Sequence, residues 1–140
     1  MTEESLNQLL ERLVQIDSPD REQLEQALDS TFVETDENSA AAIYEFKLDH
    51  GLLERGELRT ANSGEWAILT LHASDETSVV EDDLDLEPWG EIVYLDVEPD
   101  IPPEGLVSYS YDSNGVLVTF FFHAASLRFS TVKLEWGETT

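Results

Sequence analysis

The hydrophobic period of this chain changes near residue 40, and this change restricts the possible folds more than any other feature of the sequence. Between residues 6 and 13, four leucines recur at the i, i+3, i+4 and i+7 spacing of one helix face. From residue 40 onward, apolar and polar residues alternate instead, as on a strand with one buried face. Helices that precede a run of strands predict an α+β fold, in which an N-terminal helical hairpin packs on a mostly antiparallel β-sheet.

The N-terminal region predicts a helical hairpin over about residues 3–33, with helices at about residues 3–16 and 19–33. Asp17-Ser18-Pro19 separates the two helices, because serine is a good N-cap and proline suits the first helical position. The polar residues 34–39 are expected to form a loop.

The sheet is expected over about residues 40–136, as a meander of about five to seven strands. Ala61-Asn62-Ser63-Gly64 and Asp112-Ser113-Asn114-Gly115 are typical of hairpin turns, since Asn and Gly tolerate positive φ. The acidic segment 74–90 contains a proline and predicts an irregular excursion. The predicted strands are residues 40–48, 57–60, 66–72, 91–97, 106–111, 116–123 and 127–136.

Residues 116–123 are mostly apolar on both faces of their predicted strand. Such a strand is expected to lie inside the sheet and to be covered on both sides. The two helices cover one face. Either another part of the chain or a partner must cover the second face.

The length of 140 residues predicts a single domain over residues 1–140. The chain has no cysteine, which excludes disulfides, thiolate metal sites and cysteine nucleophiles. The N-terminus lacks the basic start and apolar stretch of a secretory signal. These features predict a cytoplasmic protein with no membrane segment.

The most unusual property of the sequence is its charge, with 31 acidic residues, 7 basic residues and a formal net charge of −24. This charge has the wrong sign for direct binding to nucleic acid phosphates or to anionic membranes. The 68 residues from Thr60 to Leu127 contain 14 acidic residues and no lysine or arginine. Carboxylates at this density are expected on the surface, where they attract basic partners.

We therefore expect a non-enzymatic binding module that neutralises or sequesters a basic protein surface. Immunity proteins, antitoxin-type nuclease inhibitors and DNA mimics are analogous in charge and size. Trp89 is the residue assigned as the central anchor, through cation–π contact with Arg or Lys, although its turn-like setting favours somewhat more an inward position that fixes the loop. The residues assigned to the partner contact are Asp82, Asp83, Asp85, Glu87, Trp89, Asp96, Glu98 and Asp100.

Other functions remain open. A small acidic chaperone would hold a secreted or unfolded cargo on its apolar strand faces, and a small hydrolase or calcium-dependent domain would use paired carboxylates. The acidity can also serve only solubility or a saline habitat. The sequence has no EF-hand spacing, no zinc-type histidine pair, no Gly-x-Ser-x-Gly elbow and no phosphate-binding glycine loop. We therefore predict no catalytic residue, metal or cofactor, and either a monomer or a homodimer.

Overall fold

The computed structural model places two helices before one antiparallel sheet, so the predicted α+β class and the N-terminal helical hairpin are confirmed. The structure describes residues 6–16, 21–37, 41–48, 53–61, 66–73, 89, 92, 94–98, 106–113, 115–123 and 128–137. The helices are α1 (Leu6–Val14) and α2 (Arg21–Leu28). The strands are β1 (Val33–Glu37), β2 (Ala41–Lys47), β3 (Leu53–Ala61), β4 (Trp66–Ala73), β5 (Tyr94–Glu98), β6 (Leu106–Ser113), β7 (Val116–His123) and β8 (Phe129–Gly137).

The leucine stripe of α1 belongs to the same hydrophobic cluster as the sheet residues, as its spacing predicts. Two hydrogen bonds position the helices. The indole of Trp136 on β8 donates to the carbonyl of Ile16 at 3.0 Å, and Arg12 on α1 donates to the carbonyl of Ala27 on α2 at 3.0 Å. The buried leucines of α1 are Leu9, Leu10 and Leu13. No helix among the described residues is long and apolar enough to cross a bilayer.

Helix α2 ends at Leu28, five residues before its predicted end. Asp29 has a φ of 51°, and the amide of Ser30 donates to the carbonyl of Glu25 at 3.1 Å. This left-handed residue and 6→1 bond are the features of a Schellman C-cap. The amide of Phe32 then donates to the Glu25 carboxylate at 2.8 Å, so the chain turns away from the helix.

The described residues form eight strands, one more than the upper limit of the prediction. The additional strand is β1, which covers most of the segment predicted as a loop. Three of its five residues are acidic, so its sequence resembles a loop, and its strand conformation comes from antiparallel pairing with β2.

The strand order is β1-β2-β3-β4-β8-β7-β6-β5, with every neighbouring pair antiparallel. The order consists of two four-stranded meanders, β1–β4 and β5–β8, joined by the pairing of β4 with β8. Both predicted hairpins are confirmed, between β3 and β4 and between β6 and β7. Gly115 supplies the positive φ of 80° in the second turn, where its amide donates to the Asp112 carboxylate.

Strand β7 lies inside the sheet, between β6 and β8, as predicted. Its helix-facing residues are at most 2% exposed, and Phe120 and Phe122 are among the largest fully buried side chains. Burial of one such side chain contributes about 1.5–3 kcal/mol to stability. The helix-facing residues of β7 are Val116, Val118, Phe120 and Phe122.

Gly56 on β3 permits close packing of its register partner, Phe46 on β2. A methyl group at Gly56 would overlap the Phe46 ring and lie 2.9 Å from the carbonyl oxygen of Thr70. The ring also stacks on Phe32 at a centroid distance of 4.0 Å. We expect Gly56→Ala to lower the free energy of unfolding by about 1–3 kcal/mol, because an added methyl group overpacks the core. Urea denaturation measures this change.

The Phe46→Leu background provides the control for this prediction, because leucine leaves room for the added methyl group. Gly56→Ala should destabilise the Phe46→Leu protein less than it destabilises the wild type. An equal loss in both backgrounds would show that contact with the ring is not the cause.

Candidate functional site

The acidic segment on which the predicted partner contact depends lies mostly outside the described residues. The residues outside are Asp82, Asp83, Asp85, Glu87 and Asp100. Their assignment to the partner contact stays a prediction. Asp96 and Glu98 lie on β5, at register positions opposite Ser108 and Leu106 of β6. Strand β5 is an edge strand of the described sheet. Asp96 and Glu98 therefore lie at one edge of that sheet.

Trp89 is buried, with 6% of its surface exposed. Its ring lies against Phe120 of β7 at a centroid distance of 6.0 Å, and its indole N–H donates to the side-chain oxygen of Asn7 on α1 at 3.0 Å. A ring buried in this way offers almost no face to a partner's cation. The structure therefore agrees with the alternative expectation, in which Trp89 folds inward, and not with Trp89 as an exposed anchor.

All seven basic residues lie among the described residues, and they are distributed unevenly over the sheet. Strands β7, β6 and β5 are consecutive at one edge and contain no lysine or arginine. We call these three strands the cation-free end. The basic residues are Arg12, Arg21, Lys47, Arg55, Arg59, Arg128 and Lys133.

The sheet face opposite the helices, here called the open face, is only partly covered. On β7 this face carries Leu117, Phe121 and His123, which are half-buried. The amine of Lys133 lies 5.7 Å from the Phe121 ring centroid, so a charged residue with a long apolar stem covers part of this surface. The expectation that β7 is covered on both sides is confirmed on the helix side. The segment 74–90, one of the expected covers of the second face, lies outside the described residues except for Trp89, so that part stays a prediction.

One buried polar contact lies on the open face. The hydroxyl groups of Ser110 and Thr119 are 2.9 Å apart and share a hydrogen bond across β6 and β7. Both residues are less than 9% exposed. Each hydroxyl satisfies the other, so this pair stabilises the sheet and offers no free group to a ligand.

A groove of about 590 Å³ opens at the other end of the sheet, beside β1–β4. Its volume lies within the range of small-molecule sites. The wall contains groups of both charges, three hydroxyl residues and the apolar residues Val33 and Phe46. The lining residues are Ser30, Thr31, Val33, Thr35, Glu45, Phe46, Lys47, Arg55, Gly56, Glu57 and His72.

Three basic side chains in this groove lie on adjacent strands. Lys47 of β2 is the register partner of Arg55 of β3, and Arg55 is the register partner of His72 of β4. Antiparallel register partners lie on the same face of a sheet, with their Cα atoms about 4.5–5.5 Å apart. We call Lys47, Arg55 and His72 the basic row.

The pKa of His72 lies below its ordinary value because burial disfavours the charged ring, and the guanidinium of Arg55 lowers it further. The carboxylate of Glu57 acts in the opposite direction. His72 Nδ1 also lies 3.4 Å from the hydroxyl of Thr131, with which it shares a hydrogen bond. At neutral pH the ring is therefore uncharged and can both donate and accept hydrogen bonds.

The described residues contain no group of three or more histidine or acidic side chains that could hold a metal ion. Comparison of the chain with protein-family models, curated proteins and solved structures finds no significant match.

The groove and the basic row are absent from the sequence-based expectations. The alternation of Arg55, Glu57 and Arg59 indicates one face of a strand. Only the register shows that Lys47 and His72 flank Arg55, because a shift of one residue would move every side chain to the other face.

We expect Arg55→Gln to raise the pKa of His72 only part of the way to about 6.5, the ordinary value, because burial remains the main cause of the shift. The chemical shift of the His72 ring proton, followed by NMR against pH, measures this change. Arg21→Gln on α2 removes the same charge from the other side of the sheet and should leave the titration unchanged.

The linkage to stability has a defined sign. The unfolded chain binds the His72 proton more readily than the folded chain does. The contribution of neutral His72 to the free energy of unfolding is therefore fully present above about pH 6.5 and is lost as the pH falls toward the lower pKa of the folded state.

An identical His72 titration in Arg55→Gln and wild type would contradict the electrostatic contact between the two residues.

Proposed function

We propose that this chain is a non-enzymatic binding module that uses an acidic surface to neutralise or sequester a basic protein. The observation that carries the proposal is the uneven distribution of basic residues over the sheet: the three strands of the cation-free end, with Asp96 and Glu98 on the edge strand, contain no lysine or arginine. The net charge of −24 acts in the same direction.

The proposed contact residues are the acidic ones assigned from the sequence, without Trp89. They lie on β5, in the segment that precedes β5 in the chain, or, for Asp100, shortly after β5. The residues are Asp82, Asp83, Asp85, Glu87, Asp96, Glu98 and Asp100. In this mechanism their summed field accelerates the encounter with a basic partner, and the bound module then occupies the surface that the partner needs.

We predict that Asp82→Lys, Asp83→Lys and Asp85→Lys together slow association with the partner by about tenfold or more at low salt and weaken its salt dependence, because steering depends on local charge. The partner is first captured on immobilised protein from host lysate at low salt and eluted with a salt gradient. Stopped-flow kinetics with the purified partner then measure the association rate.

A matched control separates a local surface from total charge. Glu11→Lys, Glu22→Lys and Glu34→Lys change the net charge by the same amount at exposed positions on α1, α2 and β1. This triple variant should slow association much less. An equal effect of both triples, or no effect of either one, would contradict a localised acidic contact surface. Melting temperatures near that of the wild type verify that both variants fold.

A chaperone of unfolded cargo is the second candidate, and one observation favours it. Strand β1 is an edge of the described sheet, and Val33 on it is 61% exposed. An exposed edge can pair with an extended cargo segment. Acidic chaperones of this kind are often dimeric, so light scattering on the purified chain should give a dimer mass if this function is correct. A monomer favours the acidic inhibitor.

A further inference from the structure

The basic row places two positively charged side chains next to each other on adjacent strands. Lys47 and Arg55 are direct cross-strand partners, and like charges at such positions destabilise a sheet. Among the described residues, neither has a carboxylate within ion-pair distance. Both side chains are exposed toward the groove.

Other basic residues of the chain do have acidic partners. Arg59 Nε lies 2.8 Å from Glu57, and Lys133 Nζ lies 4.0 Å from Glu135. With 31 acidic residues against 7 basic ones, a carboxylate beside any lysine or arginine is the expected outcome. Among the described residues, Lys47 and Arg55 therefore lack the acidic partner that Arg59 and Lys133 have, and both side chains line the groove.

The groove provides further polar groups around this pair. Neutral His72 continues the row on the next strand, and Thr31 adds an exposed hydroxyl at the rim. Ser30 and Thr35 donate their hydroxyls to backbone carbonyls and so support the wall rather than a ligand. A guanidinium, an ammonium, a ring N–H and a hydroxyl are the donors with which proteins bind oxyanions.

We propose that this groove binds a small ligand that carries an oxyanion group, carboxylate or phosphate, placed between Lys47 and Arg55. Arg55 binds the oxyanion through two N–H groups, Lys47 supplies the second positive charge, and His72 and Thr31 donate hydrogen bonds. This site is distinct from the acidic partner surface and does not depend on the proposed function.

The two carboxylates of the groove narrow the ligand class. Glu57 is held by Arg59 and is partly neutralised, whereas Glu45 is exposed beside the basic row. A carboxylate such as that of Glu45, which has no ion pair with another described residue, repels a ligand that is anionic throughout. It favours a ligand that also carries a donor, such as an amine or a hydroxyl group. The apolar side chain of Val33 suits a short hydrocarbon part between these groups.

The test is an NMR titration of the whole chain with glycerol 3-phosphate and, separately, with lactate, at constant ionic strength maintained with sodium chloride. Each probe joins one oxyanion group, phosphate or carboxylate, to a hydroxyl donor on a short hydrocarbon chain. We expect saturable shifts of the groove amides with at least one of the two anions, and the anion that binds more tightly identifies the oxyanion group. Lys47→Gln with Arg55→Gln should weaken this binding by about tenfold or more, since the ion pairs are lost.

Arg128→Gln with Lys133→Gln removes the same number of charges from β8 and the residue before it. This double variant should leave the affinity within about twofold, since neither residue lines the groove. No saturable shift with either anion would overturn the proposal. Equal weakening by the two double variants would do so as well, because the attraction would then come from total charge.

The stability of the free protein provides an independent measurement. Relief of the like-charge pair should raise the melting temperature of Lys47→Gln above that of the wild type in sodium chloride alone. A lower melting temperature would show that Lys47 is already neutralised and would remove the premise of the site. Arg55→Lys retains the charge but loses the planar fork, and it should bind more weakly than the wild type and more tightly than the double glutamine variant.

Discussion

The pairing of β4 with β8 is the interaction on which the rest of this structure depends. It joins two antiparallel meanders, β1–β4 and β5–β8, into one sheet. Its residues are far apart in the sequence, so the chain must close a long loop before this contact forms. Leu69 of β4 faces Leu134 of β8, and Leu71 faces Val132, all fully buried. At about 1.5–3 kcal/mol for each side chain, their burial can offset that loop entropy.

Local sequence signals predicted the elements whose conformation is determined locally. Local residues alone account for three of these features. They are the Asn-Gly turn before β7, the apolar pattern on both faces of β7 and the leucine stripe of α1. The acidic strand β1 was missed because its conformation comes from β2 and not from its own residues. The early end of α2 depends on Asp29 in a left-handed conformation, which its apolar spacing does not reveal.

The functional residues also divide into those that the sequence alone indicates and those that only the fold brings together. Charge is a property of composition, so the lysine- and arginine-free region was visible in the sequence before any fold was known. The basic row depends on the register of three strands, and no single segment contains it. For Trp89, in contrast, the neighbouring residues in the sequence were misleading. Its acidic neighbours suggested an exposed anchor, whereas a partner on α1, Asn7, and the aromatic core beside it hold it inside.

A site for an anion in a chain with a net charge of −24 requires that the remaining acidic groups act weakly on it. In the strand order, β5 lies five positions from β3, which corresponds to about 24 Å at the usual strand spacing of about 4.8 Å. The Debye length at physiological salt is only about 8 Å, so the charges of Asp96 and Glu98 on β5 are largely screened at Arg55. Among the described residues, the charged groups that line the groove are Lys47, Arg55, Glu45 and Glu57. The breadth of the sheet is therefore compatible with both proposals, a basic protein bound at one end and a small anion bound at the other.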